Sequence, residues 1–259
     1  MDQLMYESSV KDLPTLRNQF PEWTVDDYMR RVRKAHINFP DPFDNEGLYI
    51  KNDFLDSPRH QRIIQNFRVY GGTLNKQPIT MYHDIGVMEM IANYIKECTN
   101  LNSLEDQMAM NTFYQKVINS PQDNDVQKVF HMDTFFPAWK FWYFPKASSG
   151  FNSGNFMYVR GSHVFDEAKQ TFMRDRYHRF LEGEEMDKDS IEGSFRITEE
   201  EIKEHYPDGR CEVVVPANTL VVANVFGFHC RGNTSKEIER LAIHGSIRFS
   251  DPFTNRRIS

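Results

Sequence analysis

The chain has 259 residues, of which 39% are hydrophobic and 14% aromatic, and it carries a formal net charge of -6. These values support a sizeable core in one large domain and argue against disorder. They also argue against a nucleic-acid partner, and no apolar run approaches the roughly eighteen residues of a membrane-spanning helix.

The first part of the chain, about residues 1–105, reads as helical. "TVDDYMRRVRKAH" places Thr24 at an N-cap, Asp26 and Asp27 in the first turn and basic residues toward the end, matching the helix dipole. "SPRHQRIIQNF" opens with Ser57 as a cap and Pro58 in the first turn. "IGVMEMIANYIKEC" spaces Ile85, Met88, Ile91, Ile95 and Cys98 by threes and fours, an amphipathic face. From about residue 106 the period shifts to two or to short apolar runs. "MAMNTFYQKV", "KVFHMDTF", "KFWYFP", "NFMYVR", "CEVVV", "NTLVVANVF" and "RLAIHGSIRF" all read as strands, separated by turn-forming stretches. One helix interrupts them at about 165–181. The acidic stretch "EGEEMDKDS" that follows reads as an exposed insertion or a lid. Helices first and strands afterward give an α+β class, with a sandwich or barrel over about 106–250. Cys98, Cys211 and Cys230 are odd in number and far apart, which points to reduced thiols and a cytoplasmic setting. The stretch "MDQLMYESSVKDL" shows neither a secretory nor a transit pattern.

The chemistry concentrates in "FHMDTFFPAWKFWYF". If "KVFHMDTF" is a strand, His131 and Asp133 leave the same face and can converge on one point. That makes half of a metal site. His229, between an apolar strand and a turn, is the candidate third ligand, since two histidines and one carboxylate form the facial triad of non-haem iron oxygenases. A His-x-Asp pair alone is equally a structural pair. Arg240 follows His229 at the head of a strand, and its fork suits bidentate recognition of a carboxylate; Arg248 on the same strand is its competitor. "GNFMYVRGSHVF" adds a strand ending in Gly-Ser-His, with Gly161 allowing a tight turn and Ser162 expected to cap the next helix.

The ordered set of His131-x-Asp133, Gly154 through Gly161-Ser162-His163, and His229 with Arg240 resembles the phytanoyl-CoA dioxygenase family over about residues 110–250. "GNTS" at 232–235 and "RLAIHGSIR" extend the likeness. The resemblance implies a single domain over 1–259 with a double-stranded β-helix core, a cupin-like jelly roll under a helical N-terminal layer. It implies Fe²⁺ held by His131, Asp133 and His229, with 2-oxoglutarate anchored by Arg240 and O₂ as the oxidant. The implied reaction couples oxidative decarboxylation of 2-oxoglutarate to hydroxylation of a small-molecule substrate. Asp133 disfavours halogenation, which in this chemistry needs a small residue there. Gln115, Lys116 and Ser246 are candidates for cosubstrate contact. Phe135, taken to continue the His131–Asp133 face, is the candidate for substrate contact. Two rivals remain, a catalytically silent cupin-like metal or ligand binder, and the same iron chemistry ending in desaturation or epimerisation.

Overall fold

The computed structural model describes residues 13–38, 46–71, 76–78, 85–99, 109–121, 125–135 and 138–248. Phe136, within the quoted aromatic stretch, and the side chains of Ile85, Met88, Ile95, Cys98 and Arg248 lie outside the described parts.

Four helices come early: α1 (Leu13–Gln19), α2 (Val25–Asn38), α3 (Ser57–Tyr70) and α4 (Ile85–Thr99). Thr24 caps α2 as its sequence suggests: the Thr24 hydroxyl and backbone N–H both donate to the Asp27 carboxylate, at 2.7 and 2.9 Å. The start of α3 differs by one residue. Asp56 is the N-cap, its carboxylate accepting from Arg59 N at 2.9 Å, while Ser57 and Pro58 are already helical. A carboxylate offers both the acceptor and the charge that favour a helix N-terminus, so it outcompetes the hydroxyl beside it.

The strands are β1 (Leu48–Lys51), β2 (Lys76–Pro78), β3 (Ala109–Asn119), β4 (Trp139–Phe144), β5 (Phe156–Val159), β6 (Arg210–Glu212), β7 (Thr219–Asn224), β8 (His229–Arg231) and β9 (Ile238–Arg248). They form two antiparallel sheets, one in the order β1-β7-β4-β9-β3-β2 and one in the order β6-β5-β8. Period-two alternation then sorts the side chains into layers. On β4, Trp142 and Phe144 join Val221, Ala223 and Ala242 of the large sheet and Phe156 and Tyr158 of β5 in a core between the sheets. The opposite parity, with Trp139, Phe141, Tyr143, Leu220 and Val222, packs under Ile63 and Phe67 of α3 and Ile91 of α4. Met157 and Val159 on the outer face of the small sheet pack against α1, α2 and the inserted helix α5 (Glu167–Glu182). The molecule is thus a pair of antiparallel sheets with helices on both outer faces.

Two local expectations change. Residues 128–135 are not a strand: Val126–Lys128 is a 3₁₀ turn capped by Asp125, and His131 makes only isolated bridges to Arg196 and His229. The backbone changes partner residue by residue, with His131 paired to His229, Met132 N donating to Phe195 O, and Asp133 N to Val225 O. Alternation therefore stops being a guide after Asp133. In addition, Ser162 does not cap a helix. Gly161 does take the left-handed turn (φ 79°). The helix, however, begins four residues later, capped by Asp166, whose carboxylate accepts from Lys169 N at 2.8 Å.

The acidic stretch after α5 is exposed through Glu185, then turns inward. Asp187 caps the short helix α6 (Lys188–Ile191), and Ser190 and Phe195 are buried. The Ser194 hydroxyl donates to Met132 O at 3.0 Å, so this insertion braces the segment carrying His131. Helix α7 (Glu199–His205) follows, with a complete Thr198/Glu201 capping box.

Candidate metal centre

His131 and His229 lie side by side because their segments exchange two backbone hydrogen bonds, at 3.0 and 2.9 Å. Their rings are 4.6 Å apart between centroids, and Asp133 closes the triangle. Asp133 Oδ1 is 3.6 Å from His131 Nε2, and Oδ2 is 3.5 Å from His229 Nε2. One potential ligand atom from each of the three residues lies within 4.8 Å of the others, and this is the one such group among the described residues.

The tautomers follow from the partners. His131 Nδ1 is 2.7 Å from Val129 O, and His229 Nδ1 is 2.9 Å from Gly227 O. A carbonyl oxygen only accepts, so each Nδ1 carries a hydrogen, which leaves each Nε2, the nitrogen facing Asp133, as the atom able to ligate a metal. Fixing the outer nitrogen in this way is how metal-binding imidazoles are oriented. Burial, reinforced by the neighbouring His229, pushes His131 down to about 3, so its ring stays neutral at physiological pH. Burial alone would raise the Asp133 carboxyl, but Lys140 and the two histidines outweigh it and hold it well below its ordinary value. Two imidazoles, each with its outer nitrogen tied to a carbonyl, and one carboxylate are a donor set that fits a divalent cation of the Fe²⁺ or Zn²⁺ type.

The group opens into a pocket of about 90 Å³ between the sheets, whose lining includes His131, His229, Gln115, Lys140, Trp142, Phe156, Arg240 and His244. Arg240 enters from the start of β9, and its Nη1 donates to Gly154 O at 3.3 Å. Asn119 Nδ2 donates to the same carbonyl, also at 3.3 Å. Gly154 sits at φ 69°, and a Cβ there would come within 2.5 Å of Asn119 Nδ2, so glycine is needed to present that carbonyl. The Arg240 Nε–H is buried without a hydrogen-bond partner, leaving donor capacity for an anion. Burial, with Arg231 close by, lowers Arg240 to about 10, still fully charged near neutrality.

The other sequence candidates fall in different places. Gln115 lines the pocket, whereas Lys116 points to the other side of β3, pairing with Glu239 at 2.8 Å and donating to Gly71 O at 3.2 Å. Ser246 pairs across the sheet with Lys140 but is not among the residues lining the pocket. Phe135 is buried on the far side, its ring 4.8 Å from Phe195 and 5.7 Å from Tyr177. Its expected position rested on strand alternation, which the changing pairing of residues 131–133 breaks. The sequence reading gave no role to Lys140, Gln127, Trp142, Phe156 or Arg231, all of which line the pocket. For Lys140 a signal existed, since it is the one cation of "WKFWYF" and shares the parity of Trp142.

The turn that delivers His229 is held from several directions. Phe228 N donates to Ser162 Oγ at 2.8 Å, and Ser162 Oγ donates to Val159 O at 2.6 Å. Lys169 Nζ donates to Phe226 O at 2.8 Å, Tyr158 OH donates to Asn224 O at 2.8 Å, and Phe226 N donates to Asn224 Oδ1 at 3.1 Å. The Gly-Ser-His motif is therefore a clamp on the turn before His229.

No family model and no curated protein sequence matches this chain. Solved structures similar to it include HygX from Streptomyces hygroscopicus with iron bound, at 12% identity over 83% of this chain and 85% of that chain, TM-score 0.46. Another is the epimerase SnoN in complex with Fe³⁺, alpha ketoglutarate and nogalamycin RO, at 12% identity over 87% and 85%, TM-score 0.47. A Pseudomonas putida prolyl-4-hydroxylase is similar at 11% identity over 82% and 97%, TM-score 0.44. At that degree of likeness, what this chain binds has to be read from its own side chains.

Proposed function

We propose that this chain is an Fe²⁺/2-oxoglutarate-dependent oxygenase, a relative of the phytanoyl-CoA dioxygenases, acting on a small molecule. The observation that carries the reading is the convergence of two Nε2 atoms and the Asp133 carboxylate at a pocket that also holds a buried, under-satisfied arginine. His131, Asp133 and His229 hold the metal. Arg240 pairs with the distal carboxylate of 2-oxoglutarate through its fork, and Gln115 offers an amide to the same acid. When bound, the metal supplies O₂ activation coupled to conversion of 2-oxoglutarate to succinate and CO₂, with the second oxygen atom going to the substrate. The chain's own contribution is orientation and dryness. Val129 O and Gly227 O fix the imidazoles, and Trp142 and Phe156, 4.4 Å apart between centroids, wall the pocket against water. In this reading the two sheets are the halves of a jelly roll, residues 1–259 form one domain, and hydroxylation is the outcome.

Anaerobic addition of Fe²⁺ and 2-oxoglutarate to the purified chain should give a weak visible charge-transfer band, and succinate should form on exposure to O₂. Asp133→Ala and His229→Ala should lose both while remaining folded by circular dichroism. A metal-loaded protein without the band would instead be a binding module. Full turnover in either variant would overturn the assignment.

A further inference from the structure

Lys140 is the one cation on the inner face of β4, flanked at the next inward position by Trp142. Its ammonium contacts Asp133 Oδ2, the oxygen that also faces His229 Nε2. The Lys140 side chain, which lines the pocket, is 22% exposed and that of Asp133 is 14% exposed, so the pair is sheltered and is not a solvated surface bridge. One carboxylate cannot serve both a divalent cation and a lysine at full strength. A cation bound between His131, His229 and Asp133 takes the negative charge that now neutralises Lys140.

The charges of the loaded pocket decide what the released ammonium meets. A divalent cation, one ligating carboxylate, a 2-oxo diacid and the Arg240 guanidinium cancel one another. Arg231, the other cation lining the pocket, is already paired with Asp125 at 2.7 Å. Lys140 is thus the surplus charge, half-sheltered beside the Trp142 and Phe156 rings. An unpaired ammonium in such a wall favours a ligand that brings one negative charge.

We infer that Lys140 is the substrate-recognition residue of this site and that the substrate carries a carboxylate, which pairs with Lys140 once the metal has claimed Asp133. This rests on the metal and 2-oxoglutarate reading above, and it fixes the substrate class as an organic acid. A monoanionic carboxylate matches the single surplus charge, whereas a phosphate dianion overshoots it.

The test uses the full chain with Ni²⁺ in place of iron, followed by isothermal titration. In the absence of 2-oxoglutarate, Lys140→Met should bind Ni²⁺ roughly tenfold more tightly than the native chain, because no ion pair has to be broken. With Ni²⁺ and 2-oxoglutarate bound, propionate should bind the native chain, bind Lys140→Met at least about tenfold more weakly, and bind Lys140→Arg nearly as well as the native chain. Propionamide should not distinguish the three proteins. Unchanged Ni²⁺ affinity in Lys140→Met, or propionate binding that ignores the substitution or is absent from the native chain, would overturn the inference. Tighter binding of methyl phosphate than of propionate would overturn the carboxylate assignment. A tenfold loss of 2-oxoglutarate affinity in Lys140→Met would make Lys140 a cosubstrate anchor and overturn the inference while leaving the metal reading intact. If the native chain failed to bind Ni²⁺ at all, the metal reading itself would fall.

Discussion

Two clusters of buried bases sit on opposite faces of the small sheet, and they differ in what burial has done to them. In the pocket, His131 and His229 face a carboxylate, each ring has its outer nitrogen tied to a carbonyl, and open space lies in front. Beneath α5, His36 and Lys169 are packed among aromatic rings. Lys169 is fully buried, with Nζ 3.4 Å from the Phe228 ring centroid, and His36 stacks on Phe165 at 5.0 Å. Burial, then the nearby Lys169 and His163, takes His36 down to about 3, and burial likewise drives Lys169 well below its ordinary value. Both clusters contain neutral histidine at pH 7. Only the first combines a carboxylate, two imidazole Nε2 atoms aimed at it and a cavity. The comparison teaches that buried basic groups alone do not make a site. The second cluster still matters to the first, because Lys169 holds the turn that carries His229.

Paired substitutions can break this contrast. The largest effect is expected from His131→Ala, which should weaken Ni²⁺ binding at least about 100-fold, while His36→Ala leaves it within about twofold; calorimetry on both variants checks this. Equal losses would erase the distinction. Next, Arg240→Met should weaken 2-oxoglutarate binding to the metal-loaded protein by about 10- to 100-fold without changing Ni²⁺ affinity, since it removes a charge-assisted fork and no ligand. Ser162→Ala leaves the buried Phe228 N–H without its acceptor and should cost about 1–3 kcal/mol in urea unfolding. It should also lower Ni²⁺ affinity severalfold, through the loosened His229 turn.

The last contrast concerns pH. His36 has a folded value near 3 against 6.5 for the free side chain, so below 6.5 the unfolded chain binds the extra proton. Its contribution therefore works against the fold as pH falls from 6.5 toward 3 and is absent above that range. In metal-free protein, His36→Gln should flatten the loss of stability over this window by about 1.4 kcal/mol per pH unit. An unchanged slope would place His36 in contact with water.

Much of the secondary structure was readable because it rests on local rules. Thr24 caps α2, and strands β3, β4, β5, β7 and β9 fall where their apolar runs lie. Phe135 and Ser162 show where such rules stop. Alternation puts Phe135 on the His131–Asp133 face, but the backbone at 131–133 pairs in turn with His229, Phe195 and Val225, and no local pattern records that. Ser162 has the composition of a cap, yet Asp166 takes that role and the hydroxyl reaches 66 residues along the chain to Phe228 N.

The sequence by itself determined which chemistry-bearing residues exist and how they are spaced, because His131, Asp133, His229 and Arg240 are strong donors or charges set into apolar text. It also determined the sorting of β4 and β5 into two faces, since side-chain parity is a property of the strand alone. Tertiary structure decided that His131 and His229 share a backbone pair, that Gln115 faces the pocket while Lys116 does not, and that Lys140 meets Asp133. These depend on sheet register and on the insertion that braces Met132. Both are set by contacts between distant segments, which composition and spacing do not encode.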